Sequence, residues 1–398
     1  MSTPQLGDRS LFPSLTARSY LAHCGISPVS APVRAAVLSL LDGYAAEGMG
    51  ALPRWMEQRA GLRERLARLI GGEPETIGLV ANTTSGVVAI ANTYPWKRGD
   101  RVVVFDGEFP TNVTPWLQAA ATYDLAPLRL PLDGFGLGRG PTGDGLTRLE
   151  AALRTGVRLV AVSAVQFQTG LAMPLTEIGA LCRRHGAELF VDAIQAVGVV
   201  PVDVVASGID YLACGSHKWL MGIEGCGFVY VSPARAPHLV PRLAGWLSHV
   251  DPVGFLFKGP GLLSYDRPIR AQADAFESGV LNGAGYAALD ASLGLIEALG
   301  VPAIRDHVQR WHDRIEPALF EMGFTSLRAA HADGRSGILA LRPPAAADPY
   351  PLVAPLKAQG IVASAPDGCL RLAPHWPNAL EEVPFVLAAV RSALASIG

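Results

Sequence analysis

Charge of either sign is scarce in this chain. Of 398 residues, 33 are Lys or Arg and 35 are Asp or Glu, giving a formal net charge of −2. No basic stripe or arginine-rich helix stands out, so a nucleic-acid partner lacks its electrostatic footprint. Cysteine is also rare. Cys24, Cys182, Cys214, Cys226 and Cys369 form no C-x-x-C pair, which argues against a zinc site and against a disulfide framework. They are expected as reduced packing residues. His23, His249 and His312 show no metal-ligand spacing, and no metal is expected. Long apolar runs are missing: no window of about 18 residues is free of charges and turn formers, so no membrane span is expected. The opening residues Met-Ser-Thr-Pro-Gln-Leu-Gly-Asp-Arg lack the basic and apolar regions of a signal peptide. The expected compartment is therefore the cytosol. Neither G-x-x-x-x-G-K-[ST] nor a strand-linked G-x-G-x-x-G occurs, which weakens a nucleotide-binding reading.

What is present is enough apolar chain for a large core and two domains. Residues 1–20 carry Pro4 and Pro13 without periodicity and read as an arm. Helices are expected over 30–41 and 55–70, the second ended by Gly71-Gly72. Short apolar runs then alternate with helical stretches. Strands are expected at 77–80, 101–105, 125–130, 157–163, 187–191, 209–213 and 225–231, with helices from Val87 and over 174–185. That alternation predicts an α/β protein with a mostly parallel sheet covered on both faces. Residues 133–144 and 246–272 are rich in Gly and read as loops, the second long enough to suggest a functional role. A helix over 285–299 closes a large domain, 21–300. A smaller one, 301–398, begins at Val301 with the expected order helix, strand (337–341), helix (350–359), strand (369–372), helix (381–396).

The chemistry concentrates between Val191 and Trp219. Val-Asp-Ala-Ile-Gln at 191–195 ends one apolar strand, and Gly-Ser-His-Lys-Trp at 215–219 follows another. In an open α/β sheet the C-terminal strand ends are where ligands bind. A carboxylate (Asp192) and an amine (Lys218) on neighbouring strand ends suit pyridoxal 5'-phosphate (PLP). That cofactor needs a lysine for its Schiff base and an acid on its pyridine nitrogen. Gln195 can donate to the cofactor's phenolic oxygen. Asn82-Thr83-Thr84-Ser85-Gly86, between a strand and a helix, can cradle a phosphate, although the same residues also serve as ordinary caps. Phe109 can lie over the ring, and Arg371 can hold a substrate carboxylate in a bidentate fork. His23, near the start, is placed to fold over a pocket.

These segments resemble the class V aminotransferase family of fold-type I PLP enzymes, which includes cysteine desulfurases, selenocysteine lyases and isopenicillin N epimerase-like proteins. The likeness spans about residues 20–378. It also rests on Glu-Phe-Pro-Thr-Asn-Val-Thr-Pro-Trp at 108–116 and Phe-Glu-Ser-Gly-Val-Leu-Asn at 276–282. It implies a large domain, a mostly parallel mixed sheet sandwiched by helices, and a smaller α+β C-terminal domain. It further implies Lys218 as the cofactor-linking lysine, Asp192 and Gln195 as ring contacts, and Thr83, Thr84 and His217 as phosphate contacts. Arg371 is implied as carboxylate anchor, and the assembly as a homodimer. Three positions depart from the family. Phe109 replaces a stacking histidine, Val280 replaces a threonine that reaches the neighbouring subunit's phosphate, and 350–368 holds no cysteine. The last departure argues against desulfuration through a protein persulfide. A PLP-dependent transaminase or β-eliminating lyase acting on a small amino acid is the expected activity. An epimerase and a catalytically silent PLP-fold binding protein are the alternatives.

Overall fold

The structure is a computed structural model and describes residues 3–136, 143–344 and 348–397. In chain order its main elements are β1 (Ser19–Tyr20), α1 (Ala31–Glu47), α2 (Leu52–Ile70), β2 (Ile77–Val80), α3 (Thr83–Thr93), β3 (Arg101–Phe105), α4 (Thr114–Tyr123), β4 (Ala126–Leu130), α5 (Gly145–Leu153), β5 (Val157–Ser163), α6 (Leu175–Arg184), β6 (Glu188–Asp192), β7 (Tyr211–Gly215) and β8 (Gly227–Val231). A short helix α7 (Gly254–Phe257) and the long α8 (Gly283–Leu299) follow. The remainder is α9 (Val301–Glu321), β9 (Thr325–Ser326), β10 (Leu339–Arg342), α10 (Tyr350–Ala358), β11 (Ile361–Val362), β12 (Leu370–Leu372) and α11 (Val383–Ile397). Half of the loop expected at 133–144 (137–142) and part of the connection at 343–348 (345–347) lie outside the described residues.

Seven strands form the main sheet in the order β2-β8-β7-β6-β5-β3-β4. Strands β4, β3, β5, β6 and β7 run parallel, and β8 runs against both β7 and β2. The inner parallel strands β3, β5, β6 and β7 are mostly apolar and buried, as cover on both faces requires, while the edge strand β4 is exposed. One face packs Leu62, Leu66, Leu149, Ile178 and Leu293 from α2, α5, α6 and α8. The other packs Val87, Ile90, Trp116 and Ala120 from α3 and α4. Strand order reverses between β3 and β5, so a crevice opens at their C-terminal ends.

The C-terminal part builds its own core from Trp311, Ile315, Leu341, Leu356, Leu372 and Val390 around the antiparallel sheet β12-β10-β9. The opening residues do not project as a free arm. Leu11 and Phe12 are buried in the main core. Strand β1 pairs in parallel with β11, and Leu21 sits in the C-terminal core. Hydrophobic contacts over 11–21 outweigh the entropy of a loose tail, a gain invisible in a stretch without periodicity.

Candidate active site

Asp192 is the last residue of β6, and Lys218 lies three residues beyond β7. Ser163, Asp192 and Ala213 stand side by side in register, so the ends of β5, β6 and β7 share one edge. The Lys218 Nζ reaches this edge 5.5 Å from the centroid of the Phe109 ring. Phe109 meets Phe167 edge-on at 5.2 Å and is 44% exposed, so its face remains open for a flat ring to stack.

Burial holds the Lys218 amine below the usual lysine range. Asp192 and Cys24 pull it back up, while Arg371 pushes it further down. Asp192 is pushed up to about 7 by burial, with the Ile194 N–H opposing and the Glu108 charge adding to the rise. Each group is thus held toward neutrality where it stands. A cation placed against Asp192 would restore its charge.

Arg371 lies on β12, buried, with Nε donating to Ser364 Oγ at 3.1 Å and Nη1 to the Phe167 carbonyl. The protein thereby orients the guanidinium and leaves Nη2 for a ligand. Its field reaches Lys218, which places a carboxylate-binding fork beside the amine.

Helix α3 begins at Thr83, four residues earlier than the sequence suggested. Asn82 caps it, its Oδ1 accepting the Ser85 N–H at 2.8 Å. The hydroxyls of 83–85 therefore belong to the first helical turn, not to a preceding loop. Thr83 Oγ1 is buried and has no hydrogen-bond partner among the described residues. Thr84 Oγ1 is 2.8 Å from Thr111 Oγ1 at the surface. An unpaired buried hydroxyl at a helix N-terminus fits a phosphate oxygen. Gly86 lets the helix lie this close to the sheet, because a Cβ there would stand 2.6 Å from Val229 Cγ1 and 2.8 Å from Ala213 Cβ. His217, partly buried, is held below the usual histidine range by burial and by Lys218.

The structure thus gathers Asp192, Lys218 and Phe109 at one edge, and Arg371's field reaches the lysine there. Thr83 lies beneath Gly215, whose added Cβ would stand 3.0 Å from Thr83 Oγ1. Other expected residues are placed differently. His23 is buried in a packed layer instead of roofing a pocket, its Nδ1 2.8 Å from Ser27 Oγ. His375 and Trp376, shortly after Arg371 in the chain, are likewise fully buried. The Gln195 amide is already used: Nε2 donates to the Cys24 carbonyl and Oε1 accepts from Trp219 Nε1, both at 2.9 Å. Only its second amide hydrogen remains for a ligand. Residues 246–272 fold back on themselves, with Arg267 donating to the Asp251 and Leu262 carbonyls and Arg270 to those of Leu247 and Asp274.

Three groups here were not singled out from sequence. Glu108 is buried, accepting from the Ser163 N–H at 2.7 Å, the Ser163 hydroxyl and Gln166 Nε2. Burial pushes its carboxyl above the usual range. Ser364 supports Arg371, and the Cys24 thiol is 4.0 Å from Ser364 Oγ. A carboxylate three residues beyond an apolar strand was the available signal for Glu108. Ser364 and Cys24 carried none.

An amine, a carboxylate and a guanidinium gathered at the C-terminal edge of a mostly parallel sheet define a PLP-dependent enzyme. The chain belongs to the class V aminotransferase family, whose model (Aminotransferase class-V) matches residues 25–387. An uncharacterized aminotransferase, YcbU, of Bacillus subtilis is 29% identical over 382 residues, 94% of each chain. A probable cysteine desulfurase of Methanothermobacter thermautotrophicus is 29% identical over 300 residues, covering 74% of this chain and 70% of its own. Among solved structures, a lysine-to-alanine mutant of C-DES with glycine covalently linked to its PLP cofactor superimposes with a TM-score of 0.85 at 25% identity. That match covers 96% of this chain and 98% of the other.

Proposed function

We propose that the protein acts on a small amino acid as a transaminase or a β-eliminating lyase, with Lys218 as the residue that holds PLP covalently. The carrying observation is the placement of Lys218, three residues beyond β7 with its Nζ 5.5 Å from the Phe109 ring centroid, at the strand edge where β6 ends in Asp192. When bound, PLP supplies an electron sink conjugated to the substrate's amino group. The residues do the rest. Thr83, Thr84 and His217 would hold the phosphate near the start of α3, and Phe109 would stack on the ring. Asp192 would stay ionised beside the ring nitrogen, and the remaining hydrogen of Gln195 Nε2 would be available to the phenolic oxygen. Arg371 fixes the substrate carboxylate. Lys218, which would hold the cofactor, would also be the general base for the substrate's Cα proton.

Desulfuration through a protein persulfide is disfavoured on the thiols near the anchor arginine. Residues 350–368 contain no cysteine, and Cys369 is buried with its thiol pushed up by burial. We also propose a homodimer. Trp246, Leu256, Phe257, Leu263 and Tyr265 are exposed within one stretch, and Val280 follows at 86% exposure. Apolar groups clustered this way call for a partner surface, and a second copy of this chain is the occupant we assign. Among the described residues no single helix is long and apolar enough to cross a membrane.

The test is a panel of amino acids with purified, PLP-loaded protein. Turnover that depends on a keto-acid acceptor identifies the transaminase. Ammonia and keto acid without an acceptor identify the lyase, and loss of optical purity alone identifies an epimerase. Borohydride reduction followed by peptide mapping must label Lys218. No label there, or a Lys218→Ala variant equal to the wild type, overturns the reading and favours a silent binding protein.

A further inference from the structure

The segment carrying Lys218 is held by its carbonyls. Three consecutive ones are bonded by side chains and backbone from outside it. The His217 carbonyl accepts the Ser27 N–H at 2.8 Å, and the Lys218 carbonyl accepts the Ser27 hydroxyl at 2.6 Å. The Trp219 carbonyl pairs with His375 Nε2 at 2.9 Å. Two of these bonds come from one residue near the start of the chain. The third comes from the C-terminal part.

Donor and acceptor bookkeeping closes without a spare proton. The Ser27 hydroxyl donates to Lys218, so the 2.8 Å contact with His23 requires His23 Nδ1 to be the donor. His375 Nδ1 accepts the Trp376 N–H at 2.7 Å, so its Nε2 carries the hydrogen given to Trp219. Burial holds both histidines below their usual range, His375 at about 4. Both rings are therefore neutral donors at physiological pH. The rings of His23 and His375 meet edge-on at 5.4 Å, and each packs on Trp219. Gly198, at φ +109°, admits the Trp219 carbonyl, which a Cβ would meet at 2.3 Å.

We propose that Ser27 is a positioning residue for Lys218, fixing the peptide planes of 217–219 and so the direction of the lysine amine. His23 and His375 complete the clamp. The clamp also ties the lysine to the substrate anchor. His375 lies four residues beyond Arg371, and between them Ala373 bonds to Leu21 and His23 in the backbone. This inference rests on Lys218 being the residue that links PLP.

The experiment compares Ser27→Ala, Ser27→Cys and Ser27→Thr with the wild type. PLP is added to cofactor-free protein, and its attachment is followed by visible absorbance. Amide hydrogen exchange is read at 217–222, and kcat and KM are taken with the best amino acid of the panel. Ser27→Ala is expected to slow attachment and lower kcat by about tenfold each, since small misplacements of a reacting group are costly. KM should stay within about twofold, because Arg371 is untouched. Exchange at 217–222 should accelerate. Ser27→Thr, which keeps the hydroxyl, should restore the rates, and Ser27→Cys, a weak donor, should fall between. Wild-type attachment and exchange in Ser27→Ala overturn the proposal. If Ser27→Ala fails to fold, the order Thr above Cys decides, and equal rates overturn it. Failure of the underlying reading shows separately, as a wild-type protein in which borohydride labels no Lys218.

Discussion

Glu108 and Asp192 are two buried carboxylates joined through Ser163, which donates its N–H to the first and stands beside the second in the β5–β6 pairing. Glu108 raises the proton affinity of Asp192 across that single residue. Glu108→Gln keeps the shape and removes the charge. Asp192 should then titrate at lower pH in the cofactor-free protein, and kcat of the loaded enzyme should fall on the order of tenfold, the worth of about one pKa unit. NMR titration of labelled aspartate carboxyls, with Asp192→Asn for assignment, checks the first part. An unmoved Asp192 would sink the coupling.

Asp192 also makes stability depend on pH. Its folded carboxyl sits at about 7 against an ordinary 3.8, so its contribution is full below that lower value and is lost as pH rises through 7. The gap corresponds to roughly 4 kcal/mol at most. His23 and His375 act in the opposite direction, losing stability as pH falls below 6.5. The unfolding free energy of cofactor-free wild type minus that of Asp192→Asn isolates the carboxylate. That difference should decline between pH 4 and 8 and flatten once PLP is bound. A flat difference without cofactor contradicts the assignment.

Arg371 is held by Ser364 and the Phe167 carbonyl, so the position demands a guanidinium and not merely a charge. Arg371→Lys should raise KM for the amino acid about tenfold to a hundredfold, the range of one lost charge-assisted bond. PLP binding should be nearly unchanged. Equal loss of PLP affinity, measured by equilibrium dialysis, would mean the arginine serves the cofactor instead.

Gly86 sets how closely α3 approaches β7 and β8. Gly86→Ala should cost about 1–3 kcal/mol through overpacking and tilt the Thr83 hydroxyl away from its place. The expected readout is a PLP dissociation constant raised about tenfold, one 1.4 kcal/mol step, with kcat little changed at saturating cofactor. Unaltered cofactor affinity would remove α3 from the phosphate site.

Tyr265 is 86% exposed in the apolar stretch assigned to the dimer. Leu263→Glu combined with Tyr265→Glu should shift sedimentation from dimer to monomer at micromolar protein. A wild type that sediments as a monomer would discard the dimer.

Much of the sheet was readable before any coordinates. The strands at 77–80, 101–105 and 157–163 have the bounds that their apolar runs suggested; Asp100 and Asp106 bracket the second, and Gly156 precedes the third. The strand expected at 209–213 lies at Tyr211–Gly215. Ile209 is apolar but packs outside the ladder, while Cys214 and Gly215 continue it with small side chains that carry little signal. Lys218 and Asp192 were visible because each follows its own strand. Glu108, Cys24 and Ser27 were not, since their partners lie 55 or more residues away in sequence and only the folded sheet brings them together. His23 was misjudged for the same reason: a polar ring near a terminus gives no sign of the contacts with Trp219 and His375 that bury it.

Strand β2, which leads into the Asn82 cap and first turn of α3, sits at the sheet's margin and, among the described residues, pairs with β8 alone. About 150 residues separate the two, so this pairing is of high contact order and closes late. A nascent chain therefore has no finished anion cradle until β8 has been synthesised and has docked. Vitamin B6 uptake during refolding would then report completion of the whole sheet, and a chain released before Gly227 could not retain the coenzyme.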